Sequence, residues 1–209
     1  MTIVDRILTA LAERPGARRG LTAAAVVLLV AALGMLSYPV ITDLYHNSLQ
    51  GRLGKELTSP STRQAYLSGS LKAGQSLTRL QIPKLGVNVV VVQGIDDNSL
   101  RAGAGHYPET PLPCEVGDVA IAGHRTTYGK PFANVDRLSP GDRIVLTTPV
   151  GSCIYQVAQK PFVVLPDDWQ VVSNTPGQFQ LTLTACHPKG SASHRIVIKA
   201  VMISSTASV

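Results

Sequence analysis

Residues 178–190 read QFQLTLTACHPKG. Apolar and polar side chains alternate: Phe179, Leu181 and Leu183 fall on one face, and Gln180, Thr182 and Thr184 on the other. A period of two marks a strand with one buried face. The run ends on Cys186, with His187 directly after it, in a chain of only three cysteines. That thiol can be a small packed hydrophobe, half of a disulfide, a metal ligand or a nucleophile.

Working outward, the same texture fills residues 75–203. Short β-branched runs alternate with turn signals. Strands are predicted over Leu77–Ile82, stopping at Pro83, and over Val87–Val92, bounded by Gly86 and Gly94. Val116–His124, Arg143–Thr148, Ile154–Val164 and Arg195–Ile203 complete the set. Only short helices fit between, around Asn98–Ala102 and Lys130–Leu138. This many short strands at regular spacing predicts a mainly β domain, closed as an antiparallel or mixed barrel, since closure hides strand edges.

Upstream the texture changes twice. Residues 43–74 are rich in Ser, Gly, Thr and Lys and read as a linker, opening with a short continuation of the preceding helix. Residues 20–42, GLTAAAVVLLVAALGMLSYPVIT, carry no charge. A helix of that length reaches about 34 Å, against a hydrocarbon core of about 30 Å. It reads as a transmembrane anchor. A cleaved leader has a shorter apolar region followed by small residues, whereas Tyr38, Pro39, Val40 and Ile41 follow here. Arg18 and Arg19 abut the span, which places residues 1–19 in the cytoplasm and everything after Asp43 outside. Residues 204–209 form a small polar tail. The formal charge of +6 is scattered, with no basic run interleaved with aromatics, so nucleic acid is not an expected partner. Outside the membrane disulfides persist. Three cysteines leave at least one unpaired; Cys114 with Cys153, leaving Cys186 free, is one arrangement, and sequence does not supply the geometry a bridge requires.

Three side chains stand at predicted strand ends: His124, Cys186 and Arg195. A barrel can gather the ends of non-adjacent strands at one mouth. Together there, a thiolate attacks a carbonyl, an imidazole moves the proton, and a permanently charged guanidinium meets the developing oxyanion. By spacing alone, packing or a disulfide explains the cysteine as well.

The motifs narrow this. LQIPKLGVNVVVVQG, LRAGAGHYPETPLPCEVGDVAIAGHR and TLTAC, followed by Arg195, resemble the sortases, the membrane-anchored cysteine transpeptidases of Gram-positive bacteria. The likeness covers about Leu77 to Val201. It implies a closed eight-stranded sortase-type β-barrel over residues 75–203 and a catalytic set of His124, Cys186 and Arg195, with no cofactor. GHRTTYG is similar to class E of the actinobacteria. The implied reaction cleaves a sorting signal of Leu-Ala-x-Thr-Gly or Leu-Pro-x-Thr-Gly type between Thr and Gly. The Thr is held as a thioester on Cys186 and passed to a peptidoglycan-precursor amine, so the implied partners are surface proteins bearing that signal and the cell wall. Tyr128, Thr182, Thr184, Val164, Leu165 and Trp169 are the implied substrate-binding residues. The family's threonine before the cysteine is Ala185 here.

Other readings compete. Ala185 alone favours a non-catalytic wall-associated binding or assembly protein on the same fold. Papain-like and NlpC-type peptidases place the cysteine before the histidine in the chain, and here the order is reversed. A zinc site from Cys186, His187, His124 and His194 lacks any tight ligand pair, and Asp167 with Asp168 reads as a solvated turn, so no metal is expected. His106 reads as a turn or packing residue, His187 as structural, and His194 as exposed.

Overall fold

The computed structural model describes residues 15–173 and 176–207. Most of the segment read as a cytoplasmic tail, and the last two residues, lie outside this range. Two compact units divide the chain, one ending at Ile41 and the other running from Thr42.

The uncharged stretch lies in the helix α1, Pro15–Leu57, whose residues up to Ile41 belong to the first unit and the rest to the second. Its large apolar side chains from Val26 to Leu36 are 53–79% exposed. Among the described residues it is the one helix long and apolar enough to cross a bilayer.

The second unit is built from nine strands: β1 Ser76–Ile82, β2 Val87–Gln93, β3 Ala104–His106, β4 Gly117–Ala122, β5 Arg143–Thr148, β6 Gly151–Val157, β7 Phe162–Val164, β8 Phe179–His187 and β9 His194–Ser205. Eight close a ring in the order β6-β5-β1-β2-β3-β4-β8-β9, with β6 pairing back onto β9. The closed eight-stranded barrel implied by the sequence is therefore present. β7 is a ninth, short strand that shares one edge of β9 with β6: it pairs at Arg195–Val197, and β6 pairs at Ala200–Ser205. The predicted single run Ile154–Val164 is thus two strands, because the chain leaves β9 between them and Pro161, at the return, has no N–H for a ladder. The sequence reading also missed β3, three residues long with two of them small, and placed a helix at Lys130–Leu138 where only a 3₁₀ turn, Val135–Arg137, forms.

Alternation sorts each strand into a barrel face and an outer face. Leu80, Ile82, Val89, Val91, Val119, Ile121, Leu146, Leu181, Leu183 and Ile198 fill the interior with Phe132 and Tyr155. β2 carries four valines in a row, Val89–Val92, because both its faces are covered there. Val90 and Val92 point outward and meet Leu53 and Leu57 of α1.

Here the linker reading needs revision. Residues 42–57 are helical, and a second helix, α2 Pro60–Leu67, follows. Leu53, Leu57 and Tyr66 are buried, and Tyr66 donates its hydroxyl to the Pro113 carbonyl. Gln50 donates to the Val90 and Ala102 carbonyls and accepts from the Val90 N–H. The Ser, Gly and Thr content reflects the solvent face and the turns, while a few spaced apolar residues make the contact. Cys114 and Cys153 are joined by a disulfide across 39 residues, and Cys186 is free.

Candidate active site

The site follows from register. β4 and β8 run parallel and in step, from Gly117 beside Phe179 to Ala122 beside Thr184. The pairing continues through the Gly123 N–H, which donates to the Thr184 carbonyl at 3.1 Å. His124 follows next, two residues past the end of β4. On its other side β8 pairs antiparallel with β9, and Cys186 stands directly opposite Arg195. Residues directly opposite on neighbouring strands share a face. Cys186 and Arg195 are thus paired across β8 and β9, and His124 follows the end of β4, although 62 and then 9 positions separate the three in the chain. All three line one cleft of about 260 Å³.

The thiol is on the outer face of the barrel. Leu181, Leu183 and Ala185 belong to the interior cluster, so Thr182, Thr184 and Cys186 point the other way. Ala185 is 4% exposed and packs inward, on the face opposite the thiol.

His124 begins a tight loop. Its carbonyl accepts from the Phe132 N–H at 3.0 Å. Gly123 lies so close to Phe132 that a Cβ there would meet the ring at 2.6 Å. Tyr128 packs on the His124 imidazole, ring centroids 5.6 Å apart, and the Arg101 guanidinium lies over the far ring at 5.8 Å. Tyr128, Gly129 and Lys130 all take positive φ. From α1, Asp43 accepts from the Gly129 N–H at 3.0 Å and pairs with Lys130 at 3.2 Å, while the His46 ring lies where a Cβ on Gly129 would fall. Burial holds the His124 pKa below the ordinary 6.5, and nearby Asp97 only partly offsets this. The imidazole is thus a base held neutral at rest. Arg195 is tied by Nη1 to the carbonyls of Ala192 and His194, at 3.0 and 3.1 Å. That fixes the fork and leaves other N–H groups available to a substrate oxygen.

The cleft is lined mostly by apolar side chains, Ile95, Leu100, Val164, Pro166, Trp169, Val171 and Val172, with Tyr107, Asp168 and Thr184 among them. An adjoining hollow of about 380 Å³ shares Ile95, Tyr107, Trp169 and Val172 and continues toward Glu109. Of the side chains implied to bind substrate, Val164, Trp169 and Thr184 line the cleft. Tyr128 does not; it supports His124. Leu165 is 59% exposed and lies outside the lining.

Thr182 must be corrected. It is fully buried and donates to the Asp118 carboxylate at 2.8 Å. Lys199 donates to the same carboxylate at 2.7 Å and to the Val171 carbonyl at 2.6 Å. Thr182 therefore belongs to a buried polar knot that ties the cleft wall at Trp169–Val172 to β4, β8 and β9. The strand period gave its face, but what covers that face comes from a different segment. A signal existed: Asp118 and Lys199 are lone charges inside apolar runs, GDVAIA and RIVIKAVMI. Such charges are rarely buried unless paired.

A family model described as the Sortase domain matches residues 80–203. Sortase SrtE1 of Streptomyces coelicolor is 34% identical over 149 residues, which span 65% of this chain and 42% of that protein. Sortase D of Bacillus subtilis is 33% identical over 146 residues, 68% of this chain and 72% of that protein. Among solved structures, the Clostridium perfringens Sortase D5 transpeptidase aligns with a TM-score of 0.66 at 26% identity, over 76% of this chain and 98% of that one. With the ring of strands, the free thiol and the matched length in agreement, this chain belongs to the sortase family.

Proposed function

We propose that the protein is a sortase transpeptidase in which Cys186, His124 and Arg195 carry the reaction. The observation that supports this most is that all three line one largely apolar cleft, with Cys186 directly opposite Arg195. The Cys186 proton passes to His124, and the thiolate attacks the carbonyl carbon of the signal's Thr. Arg195 donates to the oxygen as it gains charge. The imidazolium, a stronger acid for being partly buried, protonates the departing Gly amine as the Thr–Gly bond breaks. The acyl group remains as a thioester. An incoming amine loses its proton to His124, attacks the same carbonyl and releases the thiol, so protons and bonds balance over the cycle.

The substrate is read as a surface protein with a Leu-Ala-x-Thr-Gly or Leu-Pro-x-Thr-Gly signal. The adjoining hollows offer room for an extended peptide, and the likeness to SrtE1 supports the class E assignment. The acceptor is a peptidoglycan-precursor amine. The residue ranges fit a cytoplasmic tail over 1–19, an anchor over 20–42 that holds the protein in the lipid bilayer, and a catalytic domain outside, oriented by Arg18 and Arg19. Residues 43–57 then serve as a packed stalk rather than a loose spacer.

The test is to incubate the full chain in detergent with fluorogenic peptides of both signal types, with and without an amine acceptor. Cleavage that is faster with the amine and yields the amine adduct supports the reading. Binding of both peptides without cleavage contradicts it.

A further inference from the structure

His124 and Cys186 each have a chain neighbour that lies outside the cleft lining, and those two neighbours meet. Arg125 follows His124, and His187 follows Cys186. The Arg125 Nη1 lies 3.1 Å from His187 Nδ1. A guanidinium can only donate, so Nδ1 is the acceptor and the ring proton sits on Nε2. Arg125 is almost fully buried, its side chain 3% exposed. Its Nη2 donates to the Ala133 carbonyl at 3.3 Å and to the Asp136 carboxylate. A single buried fork thus joins the end of β8 to the segment that leaves β4. β4 and β8 are joined earlier along their length by Thr182 on the Asp118 carboxylate and by the backbone ladder, whose last bond is Gly123 to Thr184. His124 lies one residue beyond that bond, where the loop turns away. There the Phe132 N–H holds its carbonyl and Tyr128 packs on its ring, and the Arg125 contact ties this segment to His187 at the end of β8.

We propose that Arg125 and His187 form a brace that sets the separation and alignment of His124 and Cys186, acting as positioning residues for acyl transfer. The proposal rests on the reading of His124 and Cys186 as the reacting pair. Neither brace residue touches the cleft. Their effect passes through backbone placement, where an error of about 1 Å is enough to slow chemistry about 100-fold.

The experiment uses the full chain in detergent with a fluorogenic sorting-signal peptide. It compares wild type, H187A, H187N and the H124A and H124A/H187A variants, with active protein counted by thiol alkylation. Asn offers an oxygen acceptor near the place of Nδ1; Ala offers none. H187A is expected to lower kcat about 10-fold or more with KM within about twofold. H187N should recover most of the loss. In the H124A background, removing His187 should cost nothing further, because the brace acts through His124. Unchanged kcat in H187A, an equal fall in H187N and H187A, or losses that multiply in the double variant would overturn the brace.

A second arm reads the same geometry without turnover: the rate of Cys186 alkylation by iodoacetamide against pH. Wild type should carry an inflection from His124 that H124A abolishes and H187A weakens. Profiles identical in wild type and H187A overturn the brace, even if no peptide is cleaved. Failure of the acyl-transfer reading is seen separately, as turnover that is absent in wild type or undiminished in C186A.

Discussion

His106 and Cys114, around the β3–β4 connection, are bonded to capacity, whereas His124 and Cys186, at the cleft, are not. His106 is fully buried. Its Nδ1 lies 2.8 Å from Gln93 Oε1, and its Nε2 lies 2.9 Å from the Pro111 carbonyl and 3.1 Å from Thr110 Oγ1. Cys114 is closed in a disulfide with Cys153. Among the described residues, His124 has a ring contact and no hydrogen bond to its nitrogens, and the Cys186 sulfur has no partner. The same two residue types thus serve as structure where partners are supplied and stay available for chemistry where partners are withheld. Burial lowers both histidine pKa values, to about 4 for His106, where the ring is sealed. A pKa shift alone does not separate the two roles; access does.

The comparison breaks most readily at the thiols. C186A is expected to lower turnover about 10⁴-fold or more while leaving the unfolding midpoint near wild type. Replacing Cys114 and Cys153 together by Ala should do the reverse. Closing a loop of 39 residues is worth about 4 kcal/mol, read by urea unfolding, with kcat per folded molecule little changed. If the disulfide variant loses chemistry without losing stability, the division between the two regions is false.

The histidines sharpen it. His106 binds its proton less readily folded than unfolded, so between pH 6.5 and about 4 the unfolded state takes up more protons. Stability from this residue is full above pH 6.5 and falls as pH drops toward 4, by about 3 kcal/mol at most. His124 adds to the fall in the same direction. Unfolding free energies of wild type and H106Q at pH 7 and pH 4.5 should show the slope flattened in the variant. The smallest expected effect is at the oxyanion: R195A should lower kcat/KM about 100-fold, the size of one lost donor, with unfolding unchanged.

The barrel, and the meeting of His124, Cys186 and Arg195 at one cleft, were legible because both depend on strand period and strand ends. Alternation from Phe179 to Thr184 gave the buried face, and Cys186 and Arg195 stand near the ends of β8 and β9, with His124 just past the end of the neighbouring β4. What stayed hidden depends on contacts between segments far apart in the chain. Thr182 was read as a groove residue because its outward face was visible and its cover, Asp118 and Lys199, was not. Residues 43–57 were read as spacer because the apolar contacts at Leu53 and Leu57 are sparse in a polar stretch. Leu165 is exposed on a loop where composition carries no sense of direction. The pairing of Arg125 with His187 had no sequence signal beyond adjacency to the reactive residues, and only the parallel register of β4 and β8 brings them together.

The central claim is that Cys186 holds the acyl group. The most direct test mixes the full chain with a sorting-signal peptide, quenches in acid before an amine is added, and maps the adduct by mass spectrometry. The account predicts the peptide's N-terminal part, ending in Thr, attached to Cys186 and released by hydroxylamine or by an added amine. Cleavage of the peptide with Cys186 unmodified at every quench time, and equal cleavage by C186A, would contradict it.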